Sequence, residues 1–176
     1  IRNSTIHENY ADRGAGIYAD AATGVTVVNT TINANNADTG ANVWNSGVPF
    51  TIVNTIISNG STEADNGTPS LDCDGPSITS LGGNIISDGT CINPGLASDQ
   101  RNTNPKLSFL NDNGGFAPTV RPLPDSPAID KALDAQCPSI DQRGVTRPQG
   151  SHCDVGAFEV GITDTNNHLH LPTVRQ

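Results

Sequence analysis

Ile1-Arg2-Asn3-Ser4-Thr5-Ile6 recurs as Val27-Val28-Asn29-Thr30-Thr31-Ile32 and again as Ile52-Val53-Asn54-Thr55-Ile56-Ile57. The asparagines stand 26 and 25 residues apart. The register extends beyond the motif: Asn9 falls on Asn35, Gly14 on Gly40, Ile17 on Val43, Tyr18 on Trp44 and Val25 on Phe50. A fixed period of this length marks an architecture in which each repeat is one unit stacked on the next. A looser fourth copy, Gly82-Gly83-Asn84-Ile85-Ile86, places Asn84 30 residues after Asn54. The extra length accommodates an insertion bounded by Cys73 and Cys91.

Each copy holds three short β-prone pieces, which in the second are Asn42–Trp44, Val25–Asn29 and Thr31–Asn33. Apolar residues alternate within them, as at Val25 and Val27 or Phe50 and Ile52. Gly and Asn sit at the corners, where positive φ is cheap. Three strands per repeat predict an all-β chain: a short parallel β-helix of about three to four coils, stacked about 4.8 Å apart. The column Asn3, Asn29, Asn54 reads as an asparagine ladder, each amide bonded to its equivalents above and below. Asn3, Asn29, Asn59 and Asn66 also fit Asn-x-Ser/Thr. For the first two the ladder is the better reading, because Asn54 keeps register without being a sequon. Asn59 and Asn66, in the polar stretch 59–70, are the candidates for carrying a glycan.

Composition alone points almost the other way. Leu, Ile, Val and Phe supply 38 of 176 residues and the net charge is −9, near the range of disordered chains. The 19 asparagines and 18 glycines exclude a helical bundle. Lys106 and Lys131 are the only lysines, so nucleic acid and anionic membranes are poor partners. No apolar run reaches the roughly 20 residues of a membrane span. There is no Met, so the chain reads as a processed or truncated product.

The cysteines Cys73, Cys91, Cys137 and Cys153 form no CxxC, which disfavours zinc. Two local disulfides, 73–91 and 137–153, are the simplest reading, each worth roughly 3 kcal/mol. They place the protein outside the cytosol. Four buried thiols are the competing reading.

From about residue 87 the repeat fades, and Pro118, Pro122, Pro124, Pro127, Pro138 and Pro148 punctuate the rest. Such a segment forms no long helix or central strand. It is expected to cap the last coil, with one helical turn near Ala128–Ala135. The domain reading is 1–90 coils, 91–160 capping module and 161–176 tail. The stretches LNDNGGFAPTVRPLPDSPAID (110–130), DQRGVTRPQG (141–150) and CDVGAFE (153–159), preceded by ITSLGGNIISDGTC (78–91), resemble the bacterial choice-of-anchor Q domain proteins. Their repeats are similar to those of polymorphic outer-membrane proteins. The resemblance covers the chain to about Glu159. It implies a secreted, surface-associated right-handed β-helix, with no established catalytic activity and no active site to transfer. The chain departs from the family in its very short solenoid and its start within a repeat.

Some residues have the chemistry an enzyme would need. Asp12, Asp38 and Glu63 form an acidic column at the repeat spacing, with Arg13 beside the first and Thr39 and Ala64 in its place later. A calcium-dependent lyase or an inverting hydrolase would need such carboxylates to converge, but these sit in polar, turn-like stretches and read as solvated corners. Asp141, Arg143, Asp154 and Glu159 form a denser group, read as structural, with Arg143 expected to pair with Asp154. Asp72, Asp74 and Asp88, and the pair His168 and His170, are weaker cation candidates. The expectation is therefore no catalytic residue, no metal and no cofactor. Tyr18 and Trp44 align one repeat apart as either a sugar platform or a packed column, with packing favoured. In the tail, Leu169, Leu171 and Val174 alternate as a strand would, and Ile1 begins within a coil. These four residues are the expected assembly contacts of a head-to-tail filament. The function so read is an extracellular structural or surface protein, a filament subunit or an adhesin fragment. The alternative is a polysaccharide-binding or -degrading β-helix enzyme, with a glycan as the other partner.

Overall fold

The computed structural model describes residues 1–21, 23–61, 71–76 and 78–161. Their regular structure is β throughout, apart from one 3-10 turn at Asp134–Gln136. The first copy of the repeat contributes β1 (Thr5–His7), β2 (Tyr10–Arg13), β3 (Ile17–Ala19) and β4 (Val25–Val28). The second contributes β5 (Thr31–Asn33), β6 (Asn36–Thr39), β7 (Val43–Asn45) and β8 (Phe50–Val53). The third contributes β9 (Ile56–Ser58), β10 (Cys73–Asp74) and β11 (Thr79–Ser80). Then follow β12 (Ile85–Ile86), β13 (Gln100–Arg101) and a hairpin of β14 (Leu107–Asn111) and β15 (Thr119–Pro122).

Strands of the repeat pair in parallel with their equivalents in the neighbouring copy. The sheets run β1-β5-β9-β12-β13, β2-β6, β3-β7-β10 and β4-β8-β11. The pairs Ile17 with Val43, Tyr18 with Trp44 and Val25 with Phe50 meet in the ladders. The pattern fails at two places. The sheet β2-β6, extended by a bridge from Asn36 to Ser61, lies where the sequence reads as turns. Its strands, YADR and NADT, carry no apolar alternation, since only the small Ala37 is buried there. In the fourth copy, Ile85 pairs with Ile56, a step of 29 rather than 30. Asn84 therefore stands beside Thr55, whose N–H it accepts at 2.9 Å. The column position above Asn54 belongs to Gly83, at φ +69, where a Cβ would lie 2.3 Å from the Asn54 Oδ1.

Inward residues of β4, β5, β7, β8, β9 and β12, together with Ile92, fill a core of Val27, Ile32, Val43, Ile52, Ile57, Ile86 and Ile92, all fully buried. Burial of each such side chain is worth about 1.5–3 kcal/mol. A polar string runs from the exposed Asn9 into the same interior. Asn9 donates to the Asn35 Oδ1 at 2.8 Å, Asn35 to the Asn42 Oδ1 at 2.8 Å and Asn42 to the Asp72 Oδ1 at 2.7 Å. Buried amides stay stable only when so paired.

The Asn column is a ladder for one rung. Asn54 Nδ2 donates to Asn29 Oδ1 at 3.2 Å. Asn3 leaves it and donates to the Ile140 carbonyl at 2.7 Å, because the 137–142 segment lies against the first copy. All three residues have positive φ, of 48°, 43° and 49°, so the column also turns the chain.

The same column holds the C-terminal segment, which corrects the expected end cap. The segment runs along a flank of the repeats. Gln142 accepts from the Thr5 hydroxyl at 2.6 Å, and Ala157 N–H donates to the Thr31 hydroxyl at 3.0 Å. Leu133 exchanges two bonds with the Asn54 side chain, and Gln100 donates to the Pro127 carbonyl at 2.9 Å. A second apolar cluster, Ile56, Ile85, Ala128, Ala132, Cys153 and Val155, seals it at the third and fourth copies. This explains the Ile56-Ile57 and Ile85-Ile86 doublets, whose members face opposite sides. The disulfides are Cys73–Cys91, across the insertion, and Cys137–Cys153, within the C-terminal segment.

Asn54→Ala should cost about 2–4 kcal/mol, because it strands the Leu133 groups and puts Ala at positive φ. Hydrogen exchange should show residues 128–157 opening well before the strands; a cooperative loss everywhere would disprove the staple role.

Candidate functional site

The exposed site lies on β2 and β6. Strand alternation puts Tyr10 and Asp12 on one side of β2, and the parallel register sets them beside Asn36 and Asp38. The result is a two-by-two outward square with the two aspartates on neighbouring strands, whose backbones stand about 4.8 Å apart. Tyr10 is 71% exposed. Among the described residues, the Asp12 and Asp38 carboxylates take part in none of the hydrogen bonds or ion pairs within the chain; Asn36 donates to the Ser61 hydroxyl at 3.1 Å.

An open groove of about 640 Å³ continues from this square past Ala11, Arg13 and Thr39 to Tyr18. There Tyr18 of β3 stacks on Trp44 of β7, with ring centroids 4.8 Å apart and planes within 9°. Tyr18 remains 52% exposed, so its outer surface is not used in packing. The Arg13 guanidinium lies 5.6 Å from the Trp44 ring centre. That directs this charge toward the indole. The acids therefore lie on strands, not at corners, and Arg13 flanks the aromatics.

The second surface is the edge of the first copy. β1, β2 and β3 each end a sheet. The apolar residues Ile6, Ile17 and Val25 are only partly buried, while their partners Ile32, Val43 and Phe50 are buried. Ile1 is 50% exposed and is tied to β4 through its amino group, which donates to the Thr26 carbonyl at 2.8 Å.

The denser charge group is buried and structural. The expected Arg143–Asp154 pair is not formed: Arg143 pairs with Asp141 at 2.9 Å and lies 3.4 Å from the Phe158 ring centre. The central cation is Arg147, which the sequence reading passed over. It pairs with Glu159 at 2.9 Å, both side chains fully buried, and donates to the Asp154 and Gly156 carbonyls. Asp154 turns its carboxyl to the Asp130 and Val160 N–H groups. Burial pushes its pKa up to about 7 against those bonds. Burial likewise raises Asp72, against hydrogen bonds from Ser87, Gly60 and Asn42.

Among the described residues, no three His, Cys, Asp or Glu side chains gather to hold a metal ion, so Asp72, Asp74 and Asp88 do not converge. Asn59 is exposed, but its Nδ2 donates to Asn33 at 2.8 Å. Asn66, Glu63, His168, His170, Leu169, Leu171 and Val174 lie outside the described residues. No described helix is long and apolar enough to cross a membrane. No family model, curated protein or solved structure matches the chain.

Proposed function

We propose that this chain is an extracellular, cell-surface structural protein, a filament subunit or adhesin piece. Its repeats wind as a short right-handed parallel β-helix, in keeping with the near-universal hand of parallel crossovers and with the choice-of-anchor Q resemblance. Two disulfides and the absence of basic patches fit that location. The observation that carries the reading is the contrast in burial between the first copy and its register partners. Half-covered Ile6, Ile17 and Val25 beneath a parallel ladder are a surface on which a further parallel coil stacks. A second copy placed there head to tail makes a non-closing, heterologous contact.

The test is light scattering and electron microscopy across concentration. Fibres or concentration-dependent oligomers are expected, reduced by Ile1→Asp and by deletion of residues 162–176. Monomers at every concentration overturn the proposal, and unchanged polymerisation of the deletion removes the tail from it.

A glycan-binding role is the second reading, favoured by the exposed Tyr18–Trp44 stack beside the Asp12–Asp38 groove. Catalysis gains no support there. Asp12 and Asp38 are both exposed on one sheet face, without the differing surroundings that separate an acid from a base.

A further inference from the structure

We infer that the β2-β6 groove takes an oligosaccharide of amine-bearing pyranose units; this rests on the glycan-binding reading above. Five observations converge on one ligand chemistry. Asp12 and Asp38 are parallel-register neighbours on one outward face, with no cation of the chain paired to them among the described residues. Two like charges at strand spacing favour a cation placed between them. Arg13, the nearest basic residue in the groove, is directed to the Trp44 ring instead.

The groove is also bounded by aromatic surface at both ends, Tyr10 at 71% and Tyr18 at 52% exposure. Ring faces accept the apolar C–H side of a pyranose, and the negative faces of aromatic rings also attract ammonium groups. The amide of Asn36 is placed to exchange hydrogen bonds with hydroxyls. The chain's net charge of −9 works against uronic-acid polymers and for cationic ones. The groove is open, as suits internal units of a chain. A basic peptide shares the charge but has no use for the flat aromatic ends.

The experiment is isothermal titration calorimetry of the full chain with a glucosamine hexamer, its N-acetylated counterpart, cellohexaose, polygalacturonate and hexalysine. The glucosamine hexamer should bind at least about tenfold more tightly than the acetylated and neutral hexamers, a difference of about 1.4 kcal/mol. Tyr18→Ala and Asp38→Asn should each weaken it by about tenfold or more. Circular dichroism of both variants should match the parent, because both side chains are exposed. Equal or tighter binding of the neutral hexamers overturns the amine class and leaves the glycan reading standing. Hexalysine binding as tightly as the sugar, with Tyr18→Ala indifferent, assigns the groove to basic peptides and overturns the proposal. No saccharide binding overturns both.

Discussion

Glu159→Ala will destabilise the fold by about 3–5 kcal/mol, the cost of stripping one partner from a buried ion pair. The side chain has three partners. Its Oε2 accepts from Arg147 at 2.9 Å and from the Asp154 N–H at 2.9 Å, and its Oε1 accepts from the Gln149 N–H at 2.8 Å. The truncation leaves a fully buried guanidinium without its carboxylate and two backbone donors without acceptors. Against a usual total of about 5–15 kcal/mol, the C-terminal staple would be held marginally. The pair itself is not the source of net stability, since desolvation offsets most of its attraction. Arg147→Met combined with Glu159→Leu should therefore recover much of the loss. Urea unfolding of the three variants is the measurement. A loss under about 1 kcal/mol in the single variant would show that the network relaxes or hydrates.

The second large effect is a pH slope from Asp154. Its folded pKa of about 7 lies above the ordinary value of 3.8, chiefly because burial penalises the charged form. Between those values the unfolded chain gives up the proton and the folded chain keeps it. Its stabilising contribution is complete below about pH 4 and is lost as pH rises to about 7, on the order of 4 kcal/mol. Asp154→Asn removes the titration and weakens one of the bonds from the Asp130 and Val160 N–H groups. The parent should therefore exceed the variant most at pH 4, with the gap shrinking or reversing by pH 8. Unfolding midpoints across that range decide it; a constant gap would place the Asp154 pKa in the ordinary carboxylate range. The difference between the two proteins cancels Asp72, whose raised pKa acts in the same direction.

Both effects come from a part of the molecule that was poorly legible. Arg147 and Glu159 stand 12 residues apart in a proline-rich stretch without periodicity, and no local signal ties them. Asp141, Asp154 and Glu159 stand out in the sequence as acids with Arg143 as the nearby cation, but Arg143 pairs with Asp141. The β2-β6 groove was half legible. The spacing of Asp12 and Asp38, and of Tyr18 and Trp44, was visible in the repeat. That YADR and NADT are strands was not, because their pairing is made by backbone groups and a single buried Ala37. The parallel partners of Tyr10 and Ala11, Asn36 and Ala37, were present at the same spacing and would have disclosed it.

What the sequence determined by itself is the repeat and its consequences. The spacing of Asn3, Asn29 and Asn54 dictates which residues meet across parallel ladders, since a period repeated in sequence becomes a register in space. Inward apolar positions and positive-φ corners follow from alternation and from residue type. The cysteine pairing follows from short loops. Tertiary structure alone decided where residues 91–160 lie. Leu133, Gln142 and Ala157 bond to the third, first and second copies in turn, through contacts up to 137 residues apart. Leu133 and Ala157 bond through backbone groups that every residue carries, and Gln142 through a single side-chain pair with Thr5. Such contacts leave no composition or period to read, and only the closed fold brings these groups to their partners.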